Sequence, residues 1–176
     1  DQYIGTLNNE TVAGTVNGCW IMASIQTAED QAGKWRITNM PKLDGVDNAT
    51  NYANQGGSSW AITAACKDVD LAADFLGSTF GGSAELYDTI LSTGAIATYK
   101  PAADTEAYAQ KNEYFNDEEV YKLIVDFASK VPDTINGVYF YEARDAVGTA
   151  ITNIIGGADI DKELKTAQET IEFSMH

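Results

Sequence analysis

The chain has 176 residues, 44% of them hydrophobic, and a formal net charge of −15. The hydrophobic share can build a core, which argues against a disordered chain, and the length fits one domain or pieces of two. The acid excess argues against nucleic acid and anionic membrane surfaces as partners, because both need clustered Lys and Arg.

Residues 1–26 read as a turn-rich start followed by a short apolar run. The chain begins at Asp1 without a Met, as expected of a processed or truncated piece. Residues 11–16 have strand composition and stop at the Asn17-Gly18 turn signal. Residues 19–25 predict a short helix or irregular turn. Residues 35–40 alternate like a strand and stop at Pro41, with Trp35 read as packing. Residues 42–55 are polar and rich in Asp and Asn, hence a loop. Residues 59–65 read as a strand.

Helical patterning then takes over. Leu71, Phe75, Leu76 and Phe80 share one face of a helix ended by Gly81-Gly82. Leu86, Ile90 and Leu91 mark a short helix closed near Gly94, and residues 95–99 run extended to Pro101. Val120, Leu123, Ile124 and Phe127 form a stripe, with Asn116 and Glu119 as its expected capping box. Ala143, Val147, Ala150, Ile151 and Ile154 form another, closed by Gly156-Gly157. Leu164, Ala167 and Ile171 form a third, started near Asp159. The pattern predicts an α/β or α+β chain with a helix-rich second half.

Catalytic chemistry finds little support. The single histidine is the last residue, His176, so Cys19 lacks an evident general base. Glu142 and Asp145 lie one turn apart on one helix face, which suits neither glycosidase geometry. Asp44-Gly45-Val46-Asp47-Asn48 lacks the spacing of a calcium loop, and nothing resembles a Walker loop. No enzyme activity, cofactor or metal is expected. Two cysteines, Cys19 and Cys66, are too few for a disulfide framework and read as separate thiols.

The stretch Gly56-Gly57-Ser58-Ser59-Trp60-Ala61-Ile62 carries binding chemistry. Glycines admit close backbone approach, hydroxyls and free N–H groups bond to a ligand, and an indole offers a flat apolar face. Those are parts of a pocket for a polar ligand with apolar faces, such as a sugar.

Four stretches together are similar to a known family. They are residues 9–20, ending Val16-Asn17-Gly18-Cys19-Trp20; the Gly56–Ile62 stretch with Leu71-Ala72-Ala73-Asp74-Phe75-Leu76; Gly94-Ala95-Ile96-Ala97; and Tyr141-Glu142-Ala143-Arg144-Asp145-Ala146 with the closing helices. In this order they resemble the C-terminal half of a bacterial extracellular solute-binding protein of the maltose-binding-protein-like, sugar ABC-transporter type. The family's first half has no counterpart here. The resemblance implies a periplasmic-binding-protein-like fold of two α/β lobes, with sugar between them. Residues 1–41 would then belong to the second lobe, 42–100 would return to the first, and 101–176 would supply C-terminal helices of the second. It further implies a mono- or oligosaccharide ligand, ABC transporter permease subunits as partners, and an extracellular protein that is periplasmic or a membrane-anchored lipoprotein.

Trp20 is the first stacking candidate, because the resembled element places its Trp in the cleft; a core Trp is the alternative. Gly56, Gly57, Ser58 and Ser59 are candidates for backbone and hydroxyl contacts, or form an ordinary turn. Trp60 faces either side of its expected strand. Tyr139 and Tyr141 can stack or donate a hydrogen bond, or sit in the core. Arg144 offers a planar fork to adjacent hydroxyls, or forms an ion pair with Asp145. Exposed aromatics on an acidic surface would also serve a second class, an extracellular protein-interaction or adhesin module.

Overall fold

The computed structural model describes residues 2–134 and 136–176, so Asp1 lies outside the described residues. The chain divides into two compact units, Asp1–Pro132 and Asp133–His176.

The first unit holds α1 (Gln2–Asn8), α2 (Ile21–Ile25), α3 (Val69–Ser78), α4 (Ala84–Ile90) and α5 (Val120–Ala128). Helices as short as α1 and α2 do not persist alone; what they bury fixes them. Leu7 of α1, Met22 and Ile25 of α2 and Val120 of α5 form one buried cluster with Tyr114 and Phe115. Trp35 and Ile37 pack against it. A second cluster gathers Leu91, Ala102 and Tyr108, and Tyr121 of α5 touches both.

Buried polar groups tie the connections to this core. The Gln31 amide donates to the carbonyls of Leu7 at 3.1 Å and Asn8 at 2.9 Å, covering the exposed end of α1. Its oxygen accepts the Trp35 indole N–H at 2.6 Å. The Tyr114 hydroxyl sits 2.7 Å from the Ile25 carbonyl and 2.9 Å from that of Ala28, closing the end of α2.

Caps explain where α3 and α4 begin. The Asp68 carboxylate accepts the Leu71 N–H at 3.0 Å, and the Ser83 hydroxyl accepts that of Leu86 at 3.1 Å. After α4, a 3-10 turn over Leu91–Thr93 ends at Gly94, whose φ of +80° is open to glycine and strained for other residues.

The second unit is a hairpin of α6 (Phe140–Ile155) and α7 (Ile160–Ser174). Asp159 caps α7 by accepting the Lys162 N–H at 2.9 Å, as the sequence predicts. Ala150 and Ala167 are buried where the helices pack, and their small side chains permit close approach.

Several expectations need correcting. Gln2–Asn8 is helical rather than turn-rich. Residues 11–16, 35–40 and 59–65 pair in no ladder, and the described residues contain one isolated bridge, Asn112 to Glu118. A strand needs a neighbour to satisfy its backbone groups, and side-chain alternation does not supply one. The α3 helix ends at Ser78, ahead of Gly81-Gly82, although the Gly81 N–H still bonds back to the Leu76 carbonyl at 3.0 Å. Asn116 and Glu119 form no capping box. Asn116 adopts the left-handed conformation that ends a 3-10 turn over Glu113–Phe115, and Glu119 precedes α5 without a side-chain bond.

Candidate functional site

Trp20 occupies the N-cap position of α2. Met22 and Ile25 anchor that helix in the core, while the Trp20 side of its first turn stays at the surface, with 43% of Trp20 exposed. Glycines surround it. A Cβ on Gly18 would overlap the indole at Cζ3, and one on Gly56 would stand 3.0 Å from both Cζ3 and Cη2. A Cβ on Gly94 would stand 2.9 Å from Trp20 Cα. The missing side chains let the backbone at Gly18 and Gly56 close on the indole, and the backbone at Gly94 close on that of Trp20.

Cys19 adds a link to the same cradle. Its thiol donates to the Gly94 carbonyl at 3.1 Å. Burial pushes this thiol above its ordinary pKa, so it stays protonated and a poor nucleophile at neutral pH. Cys19 and Cys66 are both free.

The structure thus brings Trp20 and Gly56 together, as two of the expected site residues. Gly56 and Gly57 have φ of +81° and +103°, which bends the backbone beside the indole. Ser58 and Ser59 are exposed. Trp60 is 68% exposed and tilts against Phe80, with ring centroids 4.8 Å apart.

Tyr139, Tyr141 and Arg144 belong to the second unit. Tyr139 is half-buried at the N-cap of α6. Tyr141 is exposed, meets Phe140 edge-on, and lies under the Arg144 guanidinium at 4.9 Å. Arg144 also donates twice to one Asp145 oxygen, at 2.9 and 2.8 Å. Its planar fork is therefore occupied by a local ion pair and a ring face.

Sequence reasoning gives Gly18, Gly94 and Phe80 turn, helix-end and helix-face roles and assigns none of them, nor Phe140, to the site. For Gly18 the Asn-Gly turn signal was visible, and its contact with an indole two residues on was not. Among the described residues, no cluster of three or more His, Cys, Asp or Glu could hold a metal ion. Among the described residues, no helix is long and apolar enough to cross a membrane.

Residues 1–116 match the family model described as bacterial extracellular solute-binding protein. The chain belongs to this family. The whole Trp20–Gly56–Gly94 contact lies within the matched residues. This family member is also 32% identical over 167 residues to a lactose-binding protein of Rhizobium radiobacter. The alignment covers 94% of this chain and 39% of that relative, so the chain spans about two fifths of the relative's length.

Proposed function

We propose that this chain forms part of the sugar-binding cleft of a solute-binding protein that feeds an ABC-type importer. It holds a mono- or oligosaccharide without covalent chemistry. The observation that carries the reading is the Trp20 indole, backed by glycine backbone and exposed to solvent. Sugars present C–H patches to aromatic faces and hydroxyls to polar rims. An indole braced on its protein side offers a ready stacking surface, at little entropic cost on binding.

In this reading Gly56, Gly57, Ser58 and Ser59 supply backbone and hydroxyl contacts beside Trp20. Trp60, Tyr139 and Tyr141 are further candidate ligand contacts, as is Arg144 where a ligand displaces its bonds to Asp145. The cleft lies between two α/β lobes, with residues 1–41 and 101–176 in one and 42–100 in the other. Ligand contact with both lobes favours closure, and the closed form docks on the permease subunits. The protein works outside the cytoplasmic membrane, in the periplasm or as a lipid-anchored form. The name of the R. radiobacter relative makes lactose the first ligand to try.

The experiment is a titration of lactose and an oligosaccharide panel, read by tryptophan fluorescence. A change that disappears in Trp20→Phe is expected. No response across the panel, together with tight binding to a protein partner, would overturn the reading in favour of an interaction module.

A further inference from the structure

A polar chain leads from α1 to the Trp20 cradle. The Tyr3 hydroxyl is hydrogen-bonded to the Thr15 hydroxyl, and Asn17 Nδ2 donates to the same Tyr3 oxygen at 3.3 Å. The Asn17 side-chain oxygen accepts the Gly18 N–H at 2.8 Å. Gly18 is the residue whose Cα faces the Trp20 ring so closely that a Cβ would overlap it. Each step is a directional contact, so the orientation of the Gly18 peptide is tied to Tyr3.

We infer that Tyr3 is a positioning residue for the stacking surface: through Asn17 it fixes the Gly18 peptide, and Gly18 sets the angle of the Trp20 indole. The inference rests on the reading of Trp20 as the sugar platform. Tyr3 and Thr15 need no contact with the ligand in this scheme. The two hydrogen bonds also hold the Tyr3 phenol below its ordinary pKa, Thr15 contributing first and Asn17 second. Tyr3 is 45% exposed, so replacing it by Phe removes a hydroxyl without opening a cavity in the core.

Labelling the chain with 5-fluorotryptophan gives one fluorine resonance for each of Trp20, Trp35 and Trp60, assigned by single Trp→Phe substitutions. Tyr3→Phe and Asn17→Ala should each move or broaden the Trp20 resonance while those of Trp35 and Trp60 stay in place. Combining the two substitutions should add nothing, because both break one relay. Thr15→Val should act like Tyr3→Phe, and Thr15→Ser should restore the parent spectrum. Sugar affinity should fall about five-fold in Tyr3→Phe, the size of one neutral hydrogen bond. A Trp20 resonance unchanged in both Tyr3→Phe and Asn17→Ala overturns the relay, whatever the sugar does. Because the spectrum is recorded without ligand, failure of sugar binding alone would count against the stacking reading and leave the relay standing.

Discussion

Trp20 and Gly94 meet backbone to backbone: a Cβ on Gly94 would stand 2.9 Å from Trp20 Cα and 3.0 Å from the Cys19 carbonyl oxygen. Gly94 also holds φ at +80°. Gly94→Ala therefore meets a steric barrier that backbone, rather than a flexible side-chain end, presents, and a strained dihedral besides. The expected cost is about 1–3 kcal/mol, with Trp20 pushed outward. Urea denaturation and acrylamide quenching of tryptophan fluorescence measure both. Parent-like stability and quenching would show that the Gly94 segment can close on Trp20 without a bare Cα.

Gln31 tests the core in the same unit. It is the buried polar side chain that binds two carbonyls of α1 and the Trp35 indole. Gln31→Leu keeps the volume and removes all three bonds. Leaving those groups unpaired should lower stability by about 1–3 kcal/mol and fray α1. Circular dichroism with a denaturant midpoint reads the effect. A neutral outcome would mean that water reaches the end of α1 and Gln31 closes nothing.

The alkaline side follows from burial. Burial pushes the Cys19 thiol up, and does the same to the phenols of Tyr108, Tyr114 and Tyr121. In an unfolded chain such groups ionise near about 8.5 for Cys and about 10 for Tyr. Above those values the unfolded state releases protons that the folded state keeps. Stability is therefore full below about pH 8.5 and is lost as pH rises through the raised folded values. Urea midpoints across this range should fall, and Cys19→Ala should remove the earliest part of the fall. A fall that begins at the same pH in Cys19→Ala would deny the thiol that role.

Local signals were legible in the sequence, and distant ones were not. Leu71 and Phe75 announced α3, and Asp159 marked the start of α7, because caps and helical periods are written within a few residues. Even there Asn116 misled: a side chain suited to capping served instead as a left-handed turn residue. The strands read at residues 11–16, 35–40 and 59–65 depend on neighbours far away in sequence, and alternation is silent about whether those exist. Trp20 and Gly56 could each be singled out by residue type. Their contact, and the arrival of Gly94 behind the same residue, joins positions tens of residues apart, which no short window reveals. Arg144 had two readings from sequence, and its bonds to Asp145 match the local ion pair.

A chain spanning about two fifths of its relative should also bind sugar weakly by itself. If, as proposed, these residues form only part of a cleft, contacts from the rest of it are forfeited and affinity is weaker than micromolar. Isothermal calorimetry with lactose checks this. Micromolar binding by the 176-residue chain would mean that these residues form a complete site.

Saturation-transfer difference NMR of lactose with the chain tests the stacking surface most directly, since it detects weak binding and maps which ligand protons touch protein. Transfer should concentrate on the C–H face of the sugar ring and vanish in Trp20→Ala, a loss of about 1–3 kcal/mol, while Trp35→Phe leaves the pattern in place. Equal transfer in Trp20→Ala and the parent chain, or none in the parent, would contradict the assignment of Trp20 as the surface that holds the sugar.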